Sequence, residues 1–202
     1  MKKTKYRGLV RRSLAAGIFT SMTAFAHAAP NMSIGSDTTQ PIGHYELCNR
    51  MPSECRPLKS NVARTVLTRD IWARMVDVNN AVNISVQPVT DQELWGREEV
   101  WSYPNGKGDC EDYVLMKRRL LMRAGIPENN LPITVVRQAD GSGHAVLTVV
   151  TDRGDFVLDN LRGDIRLWNE TGYTFLKRQS PKNSGRWVAL LDSGNPAVAA
   201  LR

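Results

Sequence analysis

The chain has 202 residues, 42% of them hydrophobic, and a formal net charge of +7, a composition that can build a hydrophobic core. Six basic residues and no acidic residue fall in positions 1–28, so removal of that segment lowers the net charge from +7 to +1. The 174 residues that remain suffice for one domain. They contain no long run of lysine or arginine, which excludes the concentrated basic face of a nucleic-acid-binding domain.

The first 28 residues have the features of a secretory signal peptide. A basic segment up to Arg12 is followed by a short apolar run from Ser13 to Phe25 and by the letters AHA at 26–28, which match an A-x-A cleavage site. The run is shorter than the roughly 20 residues that span a membrane, so we expect no stable membrane anchor after cleavage. The pattern around Arg11 and Arg12 is too loose to favour the twin-arginine route over ordinary secretion.

Residues 29–44 are rich in serine, threonine, asparagine and glycine and show no periodicity. We therefore predict a flexible N-terminus over 29–44, followed by a single folded domain over residues 45–202. The sequence contains no internal repeat that would indicate a repetitive architecture.

Three cysteines fall in this domain, and two of them are close in sequence. In an oxidising compartment Cys48 and Cys55 can close a short loop through Pro52, which favours a disulfide. A buried pair of thiols, or half of a metal site completed by His44, are the alternatives. Cys110 lies far away and is left as an unpaired thiol, which is a candidate reactive group in an exported protein.

Two helices are predicted from periodicity and end signals. Between Asn61 and Asn83, apolar residues recur at steps of three and four: Leu67, Ile71, Met75, Val78 and Val82. A second helix opens near Asp109 with acids in its first turn, carries basic residues later and stops at Gly125. The face of this helix that we expect to point to the core carries Cys110, Tyr113, Val114, Leu121 and Ala124, and Lys117 interrupts it.

After these helices the pattern changes to strands. Short β-branched runs at 133–138, 144–150, 156–160 and 186–191 are separated by turn sequences such as ADGSG and TDRGD. Consecutive strands joined by short turns pair antiparallel. The sequence therefore predicts an α+β domain in which N-terminal helices pack on an antiparallel sheet.

Cys110 stands among three carboxylates, with Asp109 before it and Glu111 and Asp112 after it. Negative neighbours raise the pKa of a thiol and disfavour the thiolate. A position in the first turn of a helix has the opposite effect, because backbone N–H groups and the helix dipole stabilise an anion there.

A cysteine nucleophile needs a base, and that base needs a third group to orient it. His144 begins a predicted strand after a glycine-rich turn and is a better base than His44, which lies in the irregular N-terminal region. The next strand ends in Asp159 and Asn160, and only one of them can face His144 because strand side chains alternate. Either a carboxylate or an amide can orient the base, so the choice stays open at this point.

The motifs GDCEDYVLMKRRLLMRAGIP, HAVLTV and VLDN resemble the bacterial transglutaminase-like cysteine peptidases, the LapG-type periplasmic proteases. The resemblance extends roughly from Cys48 to Leu190, and its specific part is GDCEDY. It implies a papain-like, transglutaminase-like fold and a periplasmic protein. It also implies that Cys110 is the nucleophile, His144 the base and Asp159 the orienting acid.

In this family the acids that flank the cysteine contribute to a calcium site, so the resemblance implies Ca²⁺ bound by Asp109 and Glu111. The charge of a calcium ion would offset the negative field around the thiol. The alternative is that Asp109 caps the helix while Glu111 and Asp112 are ordinary first-turn acids. Side chains two apart in a helix diverge by about 200°, so Asp109 and Glu111 can share an ion only if Asp109 lies outside the helix.

The resemblance further implies a protein substrate, namely a large surface adhesin cut in its N-terminal region, a role in biofilm attachment, and an inhibitory membrane receptor as partner. The loop from Cys48 to Cys55 is not part of the family pattern. Two other functions stay open. The same triad could transfer the acyl group to an amine, as transglutaminases do, or the domain could be a non-catalytic calcium-dependent binding module.

Overall fold

The structure, a computed structural model, describes Met1 and residues 31–191. Apart from Met1, the predicted signal peptide lies outside the described residues, and so do residues 192–202 of the predicted domain. The helices within 31–191 are α1 (Ile42–Arg50), α2 (Arg69–Ser85), α3 (Asp91–Trp95) and α4 (Cys110–Arg123). No helix in this part of the chain is long and apolar enough to cross a membrane.

The strands within 31–191 are β1 (Ile34–Thr38), β2 (Gln87–Pro88), β3 (Lys107–Gly108), β4 (Ile133–Arg137), β5 (Gly143–Thr151), β6 (Gly154–Leu158), β7 (Arg166–Leu167), β8 (Thr174–Ser180) and β9 (Asn183–Leu190). Seven of them form one sheet in the order β1-β9-β8-β4-β5-β6-β7, and all neighbours are antiparallel. β2 and β3 form a separate parallel pair. The sheet thus places the β5–β6 hairpin between β4 and β7.

The helices cover one face of the sheet, where α4 packs on β5 and α2 packs on α4. Leu121 of α4 and Leu147 of β5 are fully buried in the main apolar cluster, which also contains Trp187 of β9. Alternate residues of β5 such as Val146 point to the opposite face and join a second apolar cluster. This arrangement confirms the predicted α+β class, with helices packed on an antiparallel sheet.

The N-terminal segment differs from its prediction. Residues 34–44 were expected to be flexible, but β1 pairs with β9, with Asp37 opposite Val188, and α1 begins at Ile42. At Gly43 an added Cβ would lie 2.4 Å from a ring carbon of Trp101, so α1 packs closely on the core. The side chains of β1 are mostly exposed, and an edge strand of this kind lacks the apolar alternation on which strand prediction depends.

Two further elements differ from the prediction. Helix α2 begins at Arg69 rather than near Asn61, because Thr68 caps it by accepting a hydrogen bond from the Ile71 N–H at 3.2 Å. Strand β8 was not predicted, since its sequence TFLKRQS mixes charged and apolar residues. Arg178 of this strand is buried and forms a 3.0 Å ion pair with Asp155 of β6, which explains a charged residue in the middle of the sheet.

Candidate active site

Cys110 is the first residue of α4, and its side chain is half-buried. The N–H of Ala145 on β5 donates a hydrogen bond to the Cys110 sulfur at 3.4 Å, so the packing of α4 on β5 sets the position of the thiol. The thiol itself donates to a carboxylate oxygen of Glu111 at 3.0 Å. Burial and then the Glu111 carboxylate raise the pKa of the Cys110 thiol well above its usual value.

The two strands of the β5–β6 hairpin bring His144 and Asp159 together. His144 Nε2 lies 2.8 Å from Asp159 Oδ1, and both residues are buried. In the register of the hairpin Leu147 pairs with Leu158, which puts Asp159 across from Val146 and on the same face as His144. The sequence left open whether Asp159 or Asn160 faces His144, and in the structure it is Asp159. Asn160 makes no hydrogen bond to His144 within the described chain.

Asp159 is held by three further donors. Its Oδ1 accepts the N–H of Leu161 at 3.0 Å, its Oδ2 accepts the hydroxyl of Tyr173 at 2.6 Å, and its backbone carbonyl accepts an amide N–H of Asn83 at 2.9 Å. Burial raises the pKa of Asp159, but the hydrogen bonds from His144, Tyr173 and Leu161 outweigh that effect and leave it below its usual value. Sequence reasoning did not identify Tyr173, because an isolated tyrosine gives no signal.

Cys110 and His144 line a common cleft of about 300 Å³. With Nε2 of His144 directed at Asp159, Nδ1 is the ring nitrogen left to serve the cleft. One wall comes from the segment before and within α3, and the other from the turn after β4 and the loop after β6: Pro88, Val89, Thr90, Glu93, Gln138, Asn160 and Leu161. The carboxylate of Asp109 lines the cleft as well, so the cleft combines apolar and polar side chains around the thiol and the imidazole.

A cluster of three carboxylates adjoins the thiol. Asp91, Asp109 and Glu111 offer oxygens that all lie within 4.8 Å of one another. Asp109 is the residue before α4, with φ −109° and ψ −164°, so it lies outside the helix and its side chain can share a site with Glu111. The sequence pointed to Asp109 and Glu111 but not to Asp91, which lies in the first turn of α3, where it gives no separate signal.

Asp91 and Glu111 are buried and Asp109 is half-buried, and some of their carboxylate oxygens lack a hydrogen-bond partner among the described residues. Asp109 makes no capping hydrogen bond to α4, which argues against the capping alternative, and its Oδ2 instead accepts the N–H of Asp91 at 3.3 Å. The Oδ1 atoms of Asp91 and Asp109 are buried without a hydrogen-bond partner among the described residues. Burial and then Asp109 raise the pKa of Glu111 to about 9, and burial raises the pKa of Asp112 to about 7.

His44 belongs to a different part of the molecule. It is buried beside the Cys48–Cys55 disulfide, and Trp187 donates its ring N–H to Nδ1 of His44 at 3.2 Å. Burial and then the charge of Arg118 lower the pKa of His44 to about 3, so this histidine stays neutral. The sulfurs of Cys48 and Cys55 are joined to each other, so the metal-site alternative for this group does not apply to the oxidised protein.

Comparison with known proteins identifies the family. A model of the bacterial transglutaminase-like cysteine proteinases matches residues 34–195. The chain belongs to this family. The resemblance that the motif GDCEDY indicated is thereby confirmed, and the chain is a member of a cysteine proteinase family.

Solved structures of LapG are among those similar to this chain. Calcium-bound LapG of Legionella pneumophila has 23% sequence identity, covers 59% of this chain and 69% of its own, and gives a TM-score of 0.51. EGTA-treated LapG of the same organism has 22% identity, covers 75% of this chain and 80% of its own, and gives a TM-score of 0.50. Similarity at this level supports the transglutaminase-like fold. No curated protein matches the sequence of the chain.

Proposed function

We propose that this chain is an exported, calcium-dependent cysteine endopeptidase that uses Cys110, His144 and Asp159 as a catalytic triad. The observation that carries the proposal is the buried 2.8 Å contact between His144 and Asp159 at the base of a cleft that also exposes Cys110. Thiol, imidazole and carboxylate together supply the nucleophile, the base and the orienting group that acyl transfer requires.

The proposed reaction follows from these positions. Asp159 accepts the Nε2–H of His144, so Nδ1 is unprotonated and takes the proton of the Cys110 thiol. The sulfur then attacks the scissile carbonyl, and the imidazolium returns the proton to the leaving amine. The resulting thioester is hydrolysed by water, which His144 activates in the same way. The backbone N–H of Cys110 opens α4 and has no acceptor within the helix, which makes it a donor for the developing oxyanion.

The carboxylate cluster fits a calcium ion. Asp91, Asp109 and Glu111 provide hard oxygen ligands on converging side chains, and two of these carboxylates have a buried oxygen that lacks a partner in the described chain. When bound, the ion supplies positive charge next to the thiol and so lowers the cost of forming the thiolate. Calcium is also present in the similar LapG structure that is described as calcium-bound.

The substrate that we propose is a protein, because the family is one of proteinases, and specifically a cell-surface adhesin cut in its N-terminal region. The signal-peptide features of residues 1–28 support action in the periplasm, and an inhibitory membrane receptor is the partner that we propose. Acyl transfer to an amine is the competing reaction, because it begins with the same thioester.

A comparison of two strains tests the proposal and identifies the substrate. One strain carries the wild-type gene and the other carries Cys110→Ala, and the new N-termini of secreted and surface proteins are sequenced by mass spectrometry. We expect cleavage of at least one surface protein that is absent from the Cys110→Ala strain. Hydrolysis leaves free carboxylates at the cut, whereas transfer leaves isopeptide bonds. Wild-type cleavage by Cys110→Ala would refute the peptidase and leave the binding-module alternative.

Variants of the purified protein then separate the roles within the triad. On a peptide that spans the identified site, Asp159→Asn is expected to lower kcat by roughly 10³- to 10⁴-fold, because the histidine then favours the wrong tautomer. His144→Ala should lower kcat at least as far. Asn160→Ala is the matched control, since Asn160 borders the same cleft but makes no hydrogen bond to the His144 ring among the described residues. A mild Asp159→Ala together with a severe Asn160→Ala would show that the orienting residue is wrongly assigned.

A further inference from the structure

The turn between β4 and β5 carries a connected set of side-chain hydrogen bonds at the edge of the cleft. Gln138 Nε2 lies 2.9 Å from Ser142 Oγ, and Ser142 Oγ lies 2.7 Å from Asp140 Oδ1. The N–H of Ser142 donates to the same carboxylate oxygen at 2.9 Å. Gln138 is half-buried and lines the cleft, whereas Asp140 and Ser142 are exposed and do not line it. The proposed reaction gives none of these three residues a role.

The register of this hairpin places Gln138 beside His144. Val136 of β4 pairs with His144 of β5, and the N–H of Gln138 donates to the Ser142 carbonyl at 2.9 Å. Residues two apart on a strand point to the same face, so Gln138 and His144 are diagonal neighbours on one face of the hairpin. Diagonal neighbours are about 7 Å apart, and both side chains border the cleft. A peptide that reaches His144 therefore passes close to Gln138.

These hydrogen bonds determine which end of the Gln138 amide is left free. The side-chain and backbone hydrogen bonds from Ser142 hold the pKa of Asp140 below its usual value, so at neutral pH this carboxylate is only an acceptor. The single hydroxyl hydrogen of Ser142 is therefore donated to Asp140. Ser142 Oγ can then only accept from Gln138, which requires the NH₂ group of the amide and not its oxygen. The free end of the amide is thus Oε1 of Gln138.

Oε1 of Gln138 is an open, uncharged acceptor at the cleft. It accepts no hydrogen bond from the described residues and is not closed to solvent. The hydroxyl of Thr90, on the opposite wall, is already used in the cap of α3, where it donates to Glu93 at 2.9 Å and accepts the Glu93 N–H at 3.3 Å. Oδ1 of Asn160 also lacks a partner in the described chain, but that oxygen is closed to solvent. A peptide in the cleft brings main-chain N–H groups that need an acceptor.

We propose that Gln138 binds the main chain of the substrate: its Oε1 accepts an N–H of the peptide near the scissile bond, and Ser142 and Asp140 are positioning residues that hold the amide in this orientation. The inference deepens the proposed function and rests on it, because it assigns recognition of the peptide backbone in the same cleft. Every residue except proline has a main-chain N–H, so the contact places the scissile carbonyl between Cys110 and His144 for many side chains. It should leave the chemistry of the thiol itself unchanged.

A probe that alkylates Cys110 measures this contact without the natural substrate. The probe is a trans-epoxysuccinyl bis-amide that carries an Ala-Ala dipeptide on each side. The Cys110 thiolate attacks one epoxide carbon, the C–O bond at that carbon breaks, and the alkoxide takes the proton from the His144 imidazolium. Two analogues replace the N–H groups next to the epoxide, or those one residue further out, by ester oxygens on both sides. Mass spectrometry follows the alkylation rates in millimolar calcium.

One of the two ester probes should reveal the hydrogen bond in a double-mutant cycle. For that probe, the ratio of the amide rate to the ester rate should be about fivefold larger in the wild type than in Gln138→Leu, and the cycle cancels the intrinsic reactivity of the ester. Asp140→Ala releases the Ser142 hydroxyl, which can then donate to Oε1 of Gln138, so this ratio should fall as well. Gln92→Leu, on an exposed glutamine of α3 that does not line the cleft, is the matched control and should keep the wild-type ratio.

The outcomes separate this inference from the proposed function. Equal ratios in the wild type and Gln138→Leu for both ester probes overturn the role of Gln138 and leave the triad intact. If Gln138→Leu does not fold, Asp140→Ala replaces it, and a wild-type ratio in that variant overturns the inference. Alkylation of the wild type by the bis-amide no faster than by diethyl epoxysuccinate, which has no N–H group, overturns it too. Full cleavage activity of Cys110→Ala would instead refute the proposed function itself.

Discussion

The buried carboxylates next to the thiol give a quantitative prediction for the calcium-free protein. Burial and Asp109 raise the pKa of Glu111 to about 9 in the folded chain, whereas the pKa of a glutamate in an unfolded chain is about 4.3. Between these values the folded protein keeps a proton that the unfolded protein has released, so its stability falls as the pH rises. One such group lowers the free energy of unfolding by about 1.4 kcal/mol for each pH unit, or by about 3 kcal/mol between pH 5 and pH 7.

Glu111→Gln removes this titration while preserving the size and shape of the side chain. In the presence of a chelator, we expect Glu111→Gln to be more stable than the wild type by up to about 4 kcal/mol at pH 7, and by about 1 kcal/mol at pH 5. Urea denaturation followed by circular dichroism measures both values. Asp77→Asn, on the exposed face of α2, removes one negative charge without burial and serves as the control.

Calcium should reverse the order of stability of the wild type and Glu111→Gln. If Glu111 is a ligand, millimolar calcium stabilises the wild type at pH 7 by mass action and stabilises Glu111→Gln much less. A wild-type stability that does not change between pH 5 and pH 7 without calcium would refute the reasoning, because Glu111 would then titrate normally. Equal stabilisation of both proteins by calcium would place the ion elsewhere.

Three further outcomes follow from the same geometry. In denatured, non-reduced protein we expect one alkylation, on Cys110, because Cys48 and Cys55 are linked; labelling of all three thiols would disprove the disulfide. Tyr173→Phe removes the 2.6 Å hydrogen bond to Asp159, so the pKa of that carboxyl should rise and kcat should fall by roughly tenfold, and an unchanged kcat would exclude a supporting role. Chelation should abolish turnover of the wild type, and added calcium should restore it; activity that persists in chelator would exclude calcium dependence.

The parts of the site that local sequence can encode were predictable. The acids, the basic residues and the glycine that bound α4 are adjacent in the chain, so the helix start at Cys110 could be located to within a residue. The β5–β6 hairpin has alternating apolar residues around a short turn, which placed His144 near Asp159 and Asn160. The choice between those two residues requires the strand register, and two adjacent residues cannot specify it.

The parts that depend on distant segments could not be predicted. Asp91 reaches the acid cluster because α3 folds back on the start of α4, and its N–H meets Asp109 from 18 positions away. Tyr173 lies 14 residues beyond Asp159 and reaches it only once the loop after β6 has folded back. Lys117 was visible as an interruption of the core-facing side of α4, but periodicity could not show that its ammonium stays inside the protein.

The carboxylates around Cys110 then have a physical explanation under the proposed function. Without a cation, Glu111 accepts a hydrogen bond from the Cys110 thiol and the pKa of that thiol is raised, so the nucleophile keeps its proton and stays in its unreactive form. The helix dipole and the Ala145 N–H are present in either case and do not outweigh the buried acids. A cation bound by these carboxylates would offset their negative charge and so favour the Cys110 thiolate. The same residues that suppress the reactivity of the thiol therefore make that reactivity depend on a bound cation.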